Sequence, residues 1–121
     1  MKRRTNHLAG RRAVGAAAES LAVLFLESRG HRVLERNVKV GRGEIDILAL
    51  INGERAVVEV RSRWAVGKRS PRDALEAFDA AKAQQVKKLA ASPRARTSRV
   101  DLIAVGFHDR RVEIHWTQRV V

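Results

Sequence analysis

The dipeptide Asn52-Gly53, set between two apolar runs, is the feature that most restricts how this chain can fold. The run before it, residues 44–51, reads EIDILALI, and the run after it, residues 55–61, reads RAVVEVR. Both runs are rich in β-branched and aliphatic residues, and Asn-Gly between two such runs is the strongest short signal for a hairpin turn. The sequence therefore predicts an antiparallel hairpin over residues 44–61.

A two-residue turn determines which hairpin positions face each other, and it brings two acids together. Counting outward from the turn, Asp46 falls opposite Glu59, and Glu44 falls opposite Arg61. Alternate side chains share a face, so these four charged residues are expected on one face of the hairpin. The other face is predicted to carry apolar side chains only: Ile45, Ile47, Val58 and Val60.

Opposed carboxylates repel each other, so a sheet that keeps Asp46 and Glu59 together needs a cation between them. Mg²⁺ is typically held by one or two carboxylates plus substrate phosphates, and a bound metal ion can activate water for phosphodiester hydrolysis. The alternative is a network of salt bridges in which Arg61 and other arginines neutralise the acids. The spacing alone leaves both interpretations open.

The flanking segments predict two helices. Residues 13–29 are rich in Ala, Leu and Val with helical periodicity, and Gly30 is a plausible stop. Ser70-Pro71 offers an N-cap followed by proline at the first helical position, which predicts a helix from there to about residue 91. Pro93 then ends that helix.

Three further runs read as strands, namely residues 31–38, 99–107 and 112–118. With the hairpin they give the order αβββαββ. A helix that joins the third and fourth strands implies a parallel, right-handed crossover. The predicted fold class is therefore α/β, with a mixed sheet flanked by helices.

The charge balance favours a polyanionic partner. Twenty-five Lys and Arg residues against 13 Asp and Glu give a net charge of +12, which suggests nucleic acid, although a solvated arginine-rich surface is the alternative. Residues 1–12 hold five basic residues and no acid, and they predict a flexible basic arm before a single domain over residues 13–121. The aromatic content of 4% argues against a surface of stacking aromatics for single strands.

The chain lacks cysteine, which excludes disulfides and thiolate metal sites and is compatible with the cytoplasm, the location we expect. No uncharged apolar run reaches the roughly 18 residues that a membrane span needs, so no membrane association is predicted.

The chain resembles the core of the PD-(D/E)xK restriction-endonuclease-like superfamily in three consecutive features: the stretch GEID, a hairpin, and then EVR-S-R. More closely, residues 14–119 resemble the YraN family of predicted bacterial endonucleases, which are distantly related to Holliday-junction resolvases. The resemblance is carried by Gly15 with Glu19, the segments 34–50 and 57–63, Gly67, Lys82, and the segment 99–105. It implies a restriction-endonuclease-like core, Mg²⁺ or Mn²⁺ as cofactor, and DNA, including branched DNA, as substrate.

The resemblance also implies roles for individual residues. Asp46 and Glu59 would bind the metal ion, and Glu19 of the first helix would complete or orient the site. The family usually has lysine where this chain has Arg61. Arginine can stabilise charge and bind phosphate, but its pKa lies far above neutral pH, so it cannot act as a base. A non-catalytic nucleic-acid-binding module that keeps the fold is therefore the alternative function, and a purely structural partner protein is a third.

Further basic residues are candidates for binding nucleic acid. Lys82 lies on an otherwise apolar helical stripe, where it either covers the core with its alkyl stem or brings charge toward the carboxylates. The segment after the hairpin adds one aromatic residue and several cations, for which capping of the core is the alternative role: Arg61, Arg63, Trp64, Lys68 and Arg69. Asp101 is expected to orient an arginine and not to take part in catalysis. A homodimer is possible, because two-fold symmetry suits a two-stranded cut.

Overall fold

The computed structural model describes residues 7–64 and 78–121 of the 121-residue chain. Within these ranges the chain forms a helix, three strands, a second helix and two strands, which is the order predicted from the sequence. The elements are α1 (His7–Ser28), β1 (Arg32–Val40), β2 (Gly43–Ile51), β3 (Glu54–Trp64), α2 (Ala80–Ala91), β4 (Val100–Phe107) and β5 (Val112–Thr117).

The five strands form one mixed sheet in the order β1-β2-β3-β4-β5. The β3–β4 pair is parallel and runs from Val57↔Val100 to Trp64↔Phe107, whereas the other neighbouring pairs are antiparallel. The predicted parallel crossover between the third and fourth strands is thus confirmed. This α/β arrangement is compatible with a restriction-endonuclease-like core.

The predicted hairpin is present, with Ile51 paired to Glu54 across a two-residue turn. Asn52 has φ 52° and Gly53 has φ 84°. A type I′ turn requires positive φ at both central positions, which asparagine and glycine tolerate best. The turn chemistry therefore explains why the register counted from Asn52-Gly53 is correct near the turn.

The two helices cover opposite faces of the sheet, and each covers its own apolar cluster. The α1-side cluster includes Ala22 and Leu26 of α1 with Ile47 and Val58 of the sheet. The α2-side cluster gathers Val86 and Ala90 of α2 with further strand residues, namely Val38, Ile45, Leu48, Val57 and Val100. Both faces of the sheet are therefore buried over much of their area.

The prediction that one hairpin face carries Ile45 together with Ile47, Val58 and Val60 is wrong for Ile45. Ile47, Val58 and Val60 belong to the α1-side cluster, but Ile45 packs on the α2 side. Strict alternation would place residues two apart on the same face. The β2–β3 pairing ends at Ile47↔Val58, so the alternation breaks where β2 begins to leave β3.

Helix α1 begins at His7, six residues before the start predicted from periodicity. Residues 7–12, which the sequence predicts as part of a flexible basic arm, are therefore helical, in line with the high helix propensity of the Leu, Ala and Arg residues there. Residues 1–6 of the predicted arm lie outside the described residues. At the other end, Gly30 has φ 85°, and its N–H donates to the carbonyl of Glu27, which confirms the predicted stop.

Helix α2 begins at Ala80, with Asp79 as its N-cap. The prediction of one helix running on from Pro71 is wrong at residues 78–79, because the extended backbone of Asp79 lets its carboxylate accept the N–H of Lys82 at 2.9 Å. Ser70 and Pro71 themselves lie outside the described residues. The predicted end before Pro93 is confirmed at Ala91. Neither α1 nor α2 is long and apolar enough to cross a membrane.

Candidate metal and nucleic-acid site

The site lies where β2 and β3 separate. Their ladder ends at Ile47↔Val58. The sequence predicts that Asp46 and Glu59 are directly paired across the hairpin, and this prediction is wrong. The N–H of Val60, which a continued ladder would offer to a carbonyl of β2, donates instead to Oδ2 of Asp46 at 2.9 Å. The Asp46 carboxylate thus replaces a backbone acceptor in the gap between the two strands.

Asp46 and Glu59 nevertheless lie close together. Burial and then the negative charge of Glu59 are the two largest causes that raise the pKa of Asp46 to about 7. The charge of Glu19 and a hydrogen bond with the Glu59 carboxyl raise this pKa further, while the N–H of Val60 lowers it. Asp46 therefore lies beside a second carboxyl group and loses its proton only near neutral pH.

Glu59 is almost fully buried, with 3% of its surface exposed, and two cations approach it. Nζ of Lys82 lies 3.2 Å from Oε2 of Glu59, and a guanidinium nitrogen of Arg61 lies 3.5 Å from the same oxygen. Part of the salt-bridge network expected as the alternative to a metal site is therefore present around Glu59.

The predicted pairing of Glu44 with Arg61 is replaced by two other ion pairs. Glu44 contacts Lys39 at 3.6 Å, while Arg61 contacts Glu59. The cause is again the separation of the strands, because no ladder pair holds Glu44 opposite Arg61 beyond Val58.

Glu19 reaches the site from α1, and a residue of β1 orients it. The side-chain amide of Asn37 donates to Oε1 of Glu19 at 2.8 Å, and Asn37 has φ 53°. Asparagine tolerates this left-handed backbone conformation better than most residues, which makes it suited to an irregular position in a strand. Sequence reasoning missed Asn37. An asparagine that interrupts an otherwise strand-like run is the signal that could have found it.

The donor set fits a divalent cation at Asp46 and Glu59. Within the described residues Glu59 has two cationic partners, whereas Asp46 has none and is bonded only to the N–H of Val60 and the Glu59 carboxyl. A cation beside Asp46 would offset the charge that raises its pKa, and Mg²⁺ or Mn²⁺ accepts two carboxylates with water or phosphate in the other positions. No group of three or more His, Cys, Asp or Glu side chains in the described ranges is arranged to hold a metal ion, so a bound ion would rely on this pair.

The predicted nucleic-acid-binding residues are only partly brought together. Lys82 and Arg61 both contact Glu59, and Arg63 follows two positions later on β3 with a partly buried side chain. The side chain of Trp64, and Lys68 and Arg69 as a whole, lie outside the described residues. Their predicted role in binding nucleic acid stays a prediction.

Asp101 of β4 and Arg99, directly before β4, form a second buried charged cluster. The guanidinium of Arg99 donates to both carboxylate oxygens of Asp101, at 2.9 and 3.0 Å. Trp116 and the backbone N–H of Arg119 also donate to this carboxylate. The expectation that Asp101 orients an arginine is confirmed, and its saturated bonding indicates a structural role.

The sequence around this site matches a known protein family. Residues 18–105 match the model of the uncharacterised protein family UPF0102. The chain belongs to this family. The match includes all five residues around the acid pair, so this UPF0102 member carries its candidate site inside the family region: Glu19, Asp46, Glu59, Arg61 and Lys82.

Several UPF0102 proteins resemble this member over different lengths. The relative from Paenarthrobacter aurescens is 34% identical over 83% of this chain and 88% of its own length. The relative from an Arthrobacter species is 35% identical over 83% of this chain and 90% of its own length. The match to the relative from Chlorobaculum parvum is 39% identical but spans about half of each protein, 51% of this chain and 48% of the relative. The resemblance to the YraN family is thereby confirmed, and the names of these relatives state no activity.

Proposed function

We propose that this UPF0102 member is a metal-dependent endonuclease that acts on DNA, including branched DNA. The observation that carries the proposal is the contact between Asp46 and Glu59 at the point where β2 and β3 separate, with Asp46 lacking a cationic partner in the described part of the chain. The net charge of +12 favours a polyanionic substrate. The resemblance to PD-(D/E)xK nucleases favours phosphodiester hydrolysis as the reaction.

In this proposal the acids hold the cofactor, and the neighbouring groups set their charge. Asp46 and Glu59 bind Mg²⁺ or Mn²⁺, which when bound supplies a Lewis acid for water and phosphate oxygens. The N–H of Val60 fixes one oxygen of Asp46 at 2.9 Å, so the carboxylate keeps one orientation. Glu19, held by Asn37, adds negative charge near Asp46 and so favours occupation by a cation.

Lys82 supplies the ammonium group that β3 lacks, because β3 carries Arg61 where the family usually has lysine. Its Nζ lies 3.2 Å from Glu59, and 27% of the side chain is exposed, so it is accessible to a phosphate oxygen. Arg61 contacts the same carboxylate oxygen at 3.5 Å, and its guanidinium can donate several N–H groups to a phosphate. Lys82 and Arg61 together stabilise the negative charge that develops on the scissile phosphate.

The test is a Mn²⁺-dependent cleavage screen over duplex, flap and four-way-junction DNA, with structured RNA included. Wild-type protein should cleave at least one DNA substrate, and Asp46→Asn should abolish cleavage. Lys82→Met should lower the rate by about 100-fold, as expected for the loss of one charge-stabilising group. Lys87→Met, an exposed lysine on the same helix, is the matched control and should leave the rate unchanged.

A non-catalytic DNA-binding module is the second candidate, and the environment of Glu59 favours it. Lys82 and Arg61 already neutralise Glu59, and Arg61 stands where the superfamily usually has lysine. Under this alternative the wild type binds DNA but cleaves none of the substrates. Cleavage gained by Arg61→Lys would then identify Arg61 as the reason that turnover is lost.

A further inference from the structure

A shallow groove of about 400 Å³ lies between the β1–β2 turn and the outer side of α2. The turn contributes Arg42 and Gly43 to its lining. Helix α2 contributes two amide side chains, Gln84 and Gln85, and one cation, Lys88. The groove thus combines two positive charges with four amide N–H donors, two on each glutamine.

The groove is a built feature of the fold, because the turn packs directly on α2. A Cβ atom at Gly43 would lie 2.9 Å from Cδ2 of Leu89, so only glycine allows this close approach without a shift. Leu89 also packs against the α2-side cluster, which anchors the base of the groove to the core. With Ala81 it gives the groove an apolar floor between the polar side chains.

The two cations of the groove lack a side-chain partner among the residues that the structure describes. Both Arg42 and Lys88 are exposed, and neither forms an ion pair or side-chain hydrogen bond within the described ranges. Other arginines are bonded: Arg94 contacts Glu35 at 3.0 Å, Arg99 contacts Asp101, and Arg55 donates to the carbonyl of Ala95. Uncompensated positive charge therefore lines this groove, which suits an anionic ligand.

The groove and the acid pair are both reached from α2, through neighbouring residues of the helix. Ala81, on its floor, precedes Lys82, whose ammonium contacts Glu59. Lys88 lies six residues further along the helix, a rise of about 9 Å at 1.5 Å per residue. Successive phosphates of a strand in B-form DNA are about 3.4 Å apart along the helix axis, so this rise corresponds to two or three nucleotides.

We propose that the groove binds the sugar–phosphate backbone of the strand whose phosphate reaches the acid pair, two or three nucleotides from that phosphate. This inference rests on the proposed function. Arg42 and Lys88 bind phosphate oxygens, the two glutamine amides donate to the same backbone, and the apolar floor contacts the sugars. None of the described residues that line the groove is aromatic, so they offer the bases no stacking surface.

The test compares charge removal inside and outside the groove. Binding of a fluorescein-labelled single-stranded oligodeoxynucleotide is followed by fluorescence anisotropy at several salt concentrations, with EDTA present to prevent cleavage. Each lost phosphate contact lowers the slope of log K against log salt by about 0.7, so Arg42→Ala with Lys88→Ala should lower it by about 1.4. The matched control removes two exposed cations outside the groove, Lys87→Ala with Arg96→Ala, and should leave the slope nearly unchanged.

A third variant separates occupation of the groove from its charge. Gln84→Trp fills the groove without altering the net charge, and it should weaken DNA binding several-fold while circular dichroism shows an unchanged fold.

Two results would overturn the groove assignment while the proposed function stands. One is an equal salt slope for the wild type and the groove double variant, and the other is an equal decrease of the salt slope in the groove and control double variants. Polyglutamate that competes for the groove as well as DNA does would assign it to an acidic peptide and overturn it too. A wild type that binds no DNA would overturn both proposals.

Discussion

At the scale of residues, the acid pair could be predicted from the sequence, but its immediate partners could not. Asp46 and Glu59 were found by counting from the turn, which requires only strand periodicity. The sequence does not predict the roles of the Val60 N–H and the Asn37 amide, because the first depends on the separation of β2 from β3 and the second on the positive φ of Asn37. Lys82 was a candidate on an apolar stripe, and its contact with Glu59 depends on where α2 crosses the sheet.

The raised pKa of Asp46 predicts a specific pH dependence of stability. Burial and the charge of Glu59 raise this pKa from 3.8 to about 7, so the folded state binds the proton more tightly than the unfolded state does. The stabilisation is complete below about pH 4 and is lost as the pH rises through about 7. Asp46→Asn removes this titration and can still accept the N–H of Val60.

We therefore expect Asp46→Asn to raise the free energy of unfolding at about pH 8 by on the order of 2 kcal/mol, and to change it little at about pH 4. Urea denaturation in EDTA across this range measures the effect. Asp109→Asn, at an exposed turn position, is the control and should follow the wild-type curve. If Asp46→Asn lowers the free energy of unfolding at about pH 8, the ionised Asp46 carboxylate is stabilised within the metal-free protein, which would contradict this prediction.

At the scale of elements, the β2–β3 hairpin was predictable and the start of α2 was not. The hairpin depends on a dipeptide whose backbone preference matches one turn type. For α2 the sequence predicts a cap at Ser70 before Pro71, whereas the structure shows Asp79 as the N-cap of a helix that begins at Ala80. Local propensity cannot decide between two such caps, because tertiary packing determines how much of the segment continues as one helix.

The hairpin turn should respond to substitution as a type I′ turn does. Gly53 has φ 84°, a conformation that is strained for residues with a Cβ atom. Gly53→Ala should lower the free energy of unfolding by about 1 kcal/mol or more, measured by thermal or urea denaturation. Gly10→Ala is the control, because Gly10 lies inside α1 with open space around its Cα, and there alanine should stabilise the protein. A neutral Gly53→Ala would contradict the assigned turn.

At the scale of the whole molecule, the arginines divide into structural and uncompensated groups. Arg99 and Arg119 both donate to Glu54, and Arg99 is itself buried beside Asp101. This cluster connects the start of β3 and β4 with the segment that follows β5, through Gln118 and the backbone of Arg119. Composition alone predicted a basic protein, but it could not separate these arginines from those available to a ligand, because their roles depend on contacts distant in sequence.

Removal of Asp101 should destabilise the entire domain. Asp101 is fully buried, and its loss leaves the guanidinium of Arg99 without the two carboxylate oxygens to which it donates at 2.9 and 3.0 Å. Asp101→Ala should lower the free energy of unfolding by about 3–5 kcal/mol, the usual cost of breaking a buried ion pair. Glu113→Ala, which removes an exposed partner of Arg111 and His108, should cost less than about 1 kcal/mol. Equal losses would mean that the Arg99–Asp101 cluster is not the structural anchor described above.

Titration calorimetry with Mn²⁺ tests the central claim most directly, because it measures ion binding independently of any substrate. We predict one bound ion in the wild type, with binding lost in Asp46→Asn and in Glu59→Gln and retained in the exposed control Asp109→Asn. Two results would contradict the proposed metal-dependent endonuclease. One is a wild type that shows no heat of Mn²⁺ binding, and the other is a heat of binding that persists unchanged in both Asp46→Asn and Glu59→Gln.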